Sequence, residues 1–257
     1  MSLLRLEGLT RRFGGLLAVD NVSLEIPAQG LFAVIGPNGA GKTTLFNMIS
    51  GFRPPSAGRV HFDGQEITAQ PPEDIARRGL IRTFQLVQLF EELTVLENVK
   101  IGCHLHTRGG LLAALVPTRV ARAEEAAVDA EARSLLEETD LAALAETFAA
   151  VLPYGQKRLL EITRALAARP KLLLLDEPAA GLNHRETDAL AALLRRIVAR
   201  GTAILLIEHD MNLVMNVADQ IAVLDFGRLI AQGKPEEVKR NPDVVAAYLG
   251  TQEASHA

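Results

Sequence analysis

Apolar residues in this chain fall into short unbroken runs, separated by glycine-marked turns and by one long stretch of mixed helical character. Leu31–Ile35 is such a run, and Gly36 follows it at once. Lys42–Ser50 is then helix-compatible, with Gly51 and Pro54 to end it. The pattern is strand, glycine loop, helix. The first ~60 residues otherwise predict short strands and turns. Leu172–Leu175 (directly after Lys171), Ala203–Ile207 and Ile221–Leu224 are continuous apolar runs of the kind that buried parallel strands show. Between Leu86 and Leu152 the character changes. Ala, Glu, Arg and Leu dominate from Val120 to Ala150, and Pro117-Thr118 suits the start of a long helix. The pattern predicts an α/β core at 1–85 and 157–257, interrupted by a helical subdomain at 86–156. Gly109-Gly110 and the apolar strip Leu111–Val116 read as a local turn on that subdomain or as a contact surface for a membrane partner. Asp225-Phe226-Gly227 reads as a hairpin turn in which Gly227 supplies positive φ. A protein-kinase reading of that tripeptide fails, because no His-Arg-Asp catalytic loop accompanies it.

Composition narrows the function classes. With 257 residues and 48% hydrophobic content the chain can bury a sizeable core. A net charge of −4 argues against a nucleic-acid partner, since such proteins carry a basic footprint. The single cysteine, Cys103, allows neither an internal disulfide nor a Cys-rich metal site, and it reads as a small buried hydrophobe in a reducing compartment. His104 and His106 form a His-x-His pair that reads as non-metal. The start Met1–Glu7 lacks the pattern of a signal peptide. No apolar run approaches the ~20 residues of a spanning helix, so a membrane role is expected to come through a partner.

Gly36-Pro37-Asn38-Gly39-Ala40-Gly41-Lys42-Thr43 matches the phosphate-binding P-loop in full, with Thr44 following it. Backbone N–H groups of such a loop converge on phosphate oxygens, and the helix N-terminus adds partial positive charge. Lys42 would reach the β- and γ-phosphates, and the Thr43 hydroxyl would ligate Mg²⁺. A second acidic site follows Leu172–Leu175. Asp176, at the end of a strand expected beside the P-loop strand, would hold Mg²⁺ through water, and Glu177 would polarise the attacking water. The chain lacks the Asn-Lys-x-Asp base-reading motif of a GTPase.

Leu152-Pro153-Tyr154-Gly155-Gln156, with Lys157-Arg158 and Arg164-Ala165-Leu166, resembles the signature motif of ABC ATPases. That resemblance extends over Leu3 to Leu249. It implies a Q-loop role for Gln85, toward the catalytic site and its metal. It also implies a switch role for His209 and stacking of Phe13 on adenine. Pro153, Tyr154, Gly155 and Gln156 would contact the nucleotide of a partner subunit. The fold implied is a P-loop ABC-type ATPase core with parallel sheet, antiparallel β subdomain and inserted helical subdomain, with ATP and Mg²⁺ as cofactors.

Several stretches are more particular. Arg12–Val19, Arg82–Gln85 with Leu89-Phe90, Tyr154–Gln156, Glu177–Asn183, and Asn241–Val244 with Ala247–Gly250 together resemble the ATPase subunits of high-affinity branched-chain amino acid importers. The same branch includes relatives that import urea or other small polar solutes, and a non-transport ABC ATPase is the remaining alternative. The resemblance implies a peripheral subunit on the cytoplasmic face of a bacterial inner membrane. Its partners would be integral-membrane permeases, a second ABC ATPase (a heterodimer favoured over a homodimer) and, indirectly, an extracytoplasmic solute-binding protein. Leu86, Val87, Leu89 and Phe90 are expected to contribute to the permease groove. The chain departs from the general pattern at Pro153 and Tyr154, at Asn183 in place of the D-loop aspartate, and at His184.

Overall fold

Two 12-residue strands, β1 (Ser2–Phe13) and β2 (Leu16–Pro27), open the chain and pair antiparallel around Gly14-Gly15. The computed structural model describes residues 2–104 and 119–254. His106, the strip Gly109–Val116 and the helix start at Pro117-Thr118 lie outside the described residues. Along β2, Val22, Leu24 and Ile26 are buried while Asn21, Ser23 and Glu25 are exposed, the period of two of a half-buried strand. The expected short strands are thus two long ones. Register shifts between Leu6 and Leu9 and again before Arg11 break the alternation and make each strand read as fragments. With β4 (Ala57–Phe62) and β5 (Gln65–Glu66) they form a sheet of order β2-β1-β4-β5.

The second sheet has the order β10-β9-β3-β8-β7-β6. Its members are β3 (Leu31–Ile35), β6 (Leu80–Arg82), β7 (Leu172–Asp176), β8 (Ala203–Ile207), β9 (Gln220–Asp225) and β10 (Arg228–Gly233). All adjacent pairs run parallel except β9 with β10. Every residue of β3, β7 and β8 is buried, as a sheet covered on both faces requires. Strand β7 is not the neighbour of β3, contrary to the sequence expectation. Strand β8 lies between them, pairing Val34 with Ile207 on one side and Asp176 with Ile207 on the other. Apolar runs of equal character carry no strand order, so only the register reveals it. Helices α1 (Lys42–Ile49), α2 (Pro72–Arg77), α6 (His184–Ala199), α7 (Met211–Val217), α8 (Pro235–Lys239) and α9 (Pro242–Ala254) accompany these sheets. Leu4, Leu6 and Phe62 of the first sheet share one core with Phe46 of α1 and with Phe32, Leu174 and Leu205 of the second. Each such side chain contributes about 1.5–3 kcal/mol when fully buried.

These elements make one compact unit, Met1–Arg82 with Lys171–Ala180 and Thr187–Ala257; the other is Thr83–Pro170 with Gly181–Glu186. The second unit is built on α3 (Val95–Cys103), α4 (Arg119–Glu138) and α5 (Tyr154–Ala167). Its core joins Val95, Val99, Ala132, Leu136 and Leu160. It is wider than the 86–156 segment read from the sequence, because Leu160 and Ala167 of α5 pack in that helical core. Gly102 lets α3 approach α5: a Cβ there would lie 2.2 Å from the Arg164 carbonyl oxygen. Cys103 is buried beside it, and burial pushes its thiol up to about 11, so it is a packing residue.

Candidate functional site

The loop between β3 and α1 is shaped by its glycines against the protein itself. Gly36 has φ 148°, and a Cβ there would fall 2.0 Å from the Leu224 carbonyl oxygen. Gly41, at φ 97°, would place one 2.4 Å from the Ala18 oxygen. Helix α1 starts at Lys42, so the first-turn amides of Lys42, Thr43 and Thr44 have no acceptor within the helix. The Lys42 ammonium is buried and donates to the carbonyls of Gly36 at 2.7 Å and Pro37 at 2.9 Å. Burial lowers its pKa, and the nearby carboxylates of Glu177 and Asp176 oppose that shift.

Strands β7 and β8 end side by side, which brings Asp176, Glu177, Glu208 and His209 together at the carboxyl edge of the sheet, where open α/β sheets take ligands. Glu177 sits at φ 48°, a left-handed conformation that costs a non-glycine residue free energy. Its N–H donates to Ile207 at 2.9 Å, and its carboxylate lies 2.7 Å from His209 Nε2. Asp176 is buried and paired with Arg82 at 2.8 Å; Arg82 also donates to Asn47 of α1 and to Ser50, which caps that helix at its C-terminus. Glu208 is buried as well. Its Oε1 accepts from the Ala179 N–H at 2.7 Å, and its Oε2 from the His209 N–H at 2.9 Å. Burial raises the Glu208 pKa against those hydrogen bonds.

A cavity of about 380 Å³ is lined by Phe13, Leu16, Ala18, the loop from Asn38 to Thr44, Glu177, His209 and Phe226. Phe13 is 43% exposed, and the Arg11 guanidinium lies over its ring at 4.8 Å. The donor set fits magnesium, which keeps waters and leans on phosphate oxygens with one or two carboxylates. Thr43 lines the cavity, and Asp176 is near enough to act on Lys42. Among the described residues no cluster of three or more His, Cys, Asp or Glu could enclose a metal by protein ligands alone.

The remaining sequence candidates lie in the other unit. Gln85 is exposed, and its carbonyl accepts from Arg158 Nη2 at 2.7 Å while that of Phe84 accepts from Nη1 at 2.9 Å. Arg158 is fully buried, paired with Glu161 at 2.8 Å, and 3.4 Å from the Tyr154 hydroxyl. Pro153 is the N-cap residue of α5, followed by half-exposed Tyr154, buried Gly155 and half-buried Gln156. Asn183 and Glu186 cap reciprocally: each backbone N–H donates to the other side chain, at 2.9 and 3.1 Å. Asn is as good a cap as Asp, which accounts for its place there. Sequence reasoning passed over Arg82, Glu208 and the clamping role of Arg158. A charged residue directly after the all-apolar β8 was the one available signal, at Glu208.

Residues 19–180 match the family model described as ABC transporter. Residues 228–254 match that described as branched-chain amino acid ATP-binding cassette transporter. The chain is 47% identical over 249 residues to the high-affinity branched-chain amino acid transport ATP-binding protein BraF of Pseudomonas aeruginosa, covering 96% of this chain and 98% of BraF. It is also 47% identical over 250 residues to LivG of Escherichia coli, at the same coverage. Among solved structures it resembles an ABC transporter ATP-binding cassette in its ADP conformation, with TM-score 0.84 and 34% identity over 97% of this chain and 99% of the other. A nucleotide-free ATP-binding cassette gives TM-score 0.81 and 35% identity over 96% of this chain and 99% of that one.

Proposed function

The chain belongs to the ABC transporter family of ATP-binding proteins, and from that premise we propose that it is the ATP-hydrolysing subunit of an importer for branched-chain amino acids. The family hydrolyses ATP to power transport, and its subunits act with membrane permeases. The observation that carries the site reading is the 2.7 Å contact of Glu177 with His209, inside the cavity that also holds the loop Asn38–Thr44. The choice of solute is supported by the match at residues 228–254 and by the relatives named for branched-chain amino acids.

In the mechanism, the amides of Gly39–Thr44 hold the phosphates and Phe13 takes the base. Lys42 exchanges its carbonyl partners for β- and γ-phosphate oxygens. Thr43 and Asp176 would hold Mg²⁺, which would neutralise phosphate charge when bound. Glu177 accepts a proton from the attacking water, and His209 holds that carboxylate and braces the γ-phosphate. Residues Pro153–Gln156 of this chain serve the nucleotide of a second ABC ATPase, with a heterodimer favoured. Loss of the γ-phosphate removes the contact that favours the closed pair, as a ligand-driven switch requires.

Among the described residues no helix is long and apolar enough to cross a membrane. By its likeness to transport ATP-binding proteins we place the chain peripherally on the cytoplasmic face of the inner membrane, beneath permeases served by an extracytoplasmic solute-binding protein. The test is purification of the complex through a tag on this chain, identification of the accompanying chains, and measurement of ATP-dependent uptake into vesicles. ATP-dependent uptake of leucine and stimulation of the ATPase by leucine support the proposal; stimulation by urea alone would reassign the solute.

A further inference from the structure

Strands β9 and β10 are joined by a two-residue turn, since Asp225 pairs with Arg228. Both central residues have positive φ, 42° at Phe226 and 80° at Gly227. Such turns favour Asn, Asp or Gly, and a bulky side chain in this region is strained. The turn is nonetheless held on both sides. The Gly227 N–H donates to the Ala40 carbonyl of the phosphate loop at 3.0 Å, and its carbonyl accepts from the Asp20 N–H at 2.8 Å. Arg228 adds an ion pair to Asp20 at 2.8 Å.

Burial does not offset the strain. Phe226 is 82% exposed, the most exposed of the large apolar side chains among the described residues. It lines the same cavity as Phe13 and Leu16, themselves 43% and 66% exposed. A strained aromatic with no packing gain, anchored to a phosphate loop, breaks the local rules where functional sites do. With phosphates fixed at Lys42, the apolar rim of this one cavity faces the other end of a nucleotide. A planar base suits it better than a protein side chain, because the rim is continuous with the loop Asn38–Thr44. Arg11 already occupies one face of the Phe13 ring, so a second aromatic contact enlarges the surface offered to the base.

We propose that Phe226 is a base-contact residue, which with Phe13 gives the purine of the bound nucleoside triphosphate two aromatic contacts. The proposal rests on the ATP-site reading above. The experiment is calorimetric titration of the full chain with ATP and, separately, with inorganic tripolyphosphate, which lacks a base. Phe226→Asn suits the turn, so folding is retained; ATP affinity falls about tenfold on the scale of base–aromatic stacking, and tripolyphosphate affinity stays unchanged. Phe226→Tyr keeps the affinity for ATP. Unchanged ATP affinity in Phe226→Asn overturns the proposal, as do equal losses for both ligands. A defect confined to assembly with partner subunits overturns it too and makes Phe226 a protein contact. If the unmodified chain binds neither ligand, the ATP-site reading falls and takes this inference with it. ATP binding that is abolished by Lys42→Ala yet indifferent to Phe226 removes this inference alone.

Discussion

Glu208 Oε1 accepts the backbone N–H of Ala179 at 2.7 Å, across the gap between the ends of β7 and β8. The other oxygen of the same carboxylate accepts from the N–H groups of His209 and Asp210, at 2.9 and 3.3 Å. One buried side chain thus ties the turn that follows Glu177 to the segment that carries His209. The separation of Glu177 from His209 depends on that tie as well as on their direct contact.

Replacing Glu208 with Gln turns an amide NH₂ toward backbone donors that now meet a carboxylate. Hydrogen bonds to a charged acceptor contribute about 1.5–3 kcal/mol. The expected result in the assembled complex is a fall in kcat of about tenfold or more, with KM for ATP unchanged, because the phosphate loop is untouched. Steady-state ATPase kinetics check this. A variant with normal kcat would show that the tie does not position the reacting groups.

Arg82 is the counter-charge of a buried Asp176, with side-chain exposures of 6% and 3%. Removing one member of a buried pair costs about 3–5 kcal/mol, since the other charge stays uncompensated. Arg82→Ala is expected to lower the melting temperature strongly, and Asp176→Asn in that background to recover part of the loss. Thermal denaturation of Arg82→Ala, of Asp176→Asn and of the double variant reads the coupling. Simple additivity would mean that the two side chains do not support each other.

The phosphate loop, β7 with its acidic end and the segment of His209 were legible because each is local: an apolar run followed by a glycine, an acid or a histidine. Strand order was not legible, since β3, β7 and β8 are equally apolar and only pairing shows that β8 lies between. The strained turn was half legible. Gly227 announces positive φ, but nothing in a Phe announces it at Phe226. Arg82, Arg158 and Glu208 were opaque for the same reason. The partners that give them their roles, Asp176, the Phe84 carbonyl and the Ala179 N–H, are 94, 74 and 29 residues away.

The segment after Gln85 divides by exposure. Leu86 is 78% and Phe90 51% exposed, whereas Leu89 packs against the helical core. Leu86→Glu and Phe90→Glu are expected to leave the subunit folded and ATP-binding but to release it from the permeases. Leu89→Glu is expected to destabilise the subunit by burying a charge. Melting temperature and co-purification with the permeases separate these outcomes. Full retention of the complex by both exposed-site variants would place the permease contact elsewhere.

Glu177 faces His209 Nε2 at 2.7 Å, lines the cavity and acts electrostatically on Lys42. Glu177→Gln keeps the size of the side chain and its capacity to hydrogen-bond the imidazole, but it removes the proton acceptor. Loss of a general base typically costs ~10²–10⁴ in rate. ATP binding is expected to persist, because Lys42, Thr43 and the loop amides are unaltered. The variant is therefore expected to collect in the ATP-bound closed state. With a second ATPase subunit it runs as a dimer on size exclusion in ATP and separates in ADP. The signature half of this chain carries Pro153, which has no side-chain donor, and Pro153 is the N-cap of α5 without a capping hydrogen bond. A lone Glu177→Gln chain, with that half on both sides of the pair, is accordingly expected to stay monomeric where the mixture dimerises. Normal hydrolysis by the variant would remove Glu177 from the chemistry. Homodimerisation of the lone variant would leave Glu177 in place and remove only the demand for a second kind of subunit.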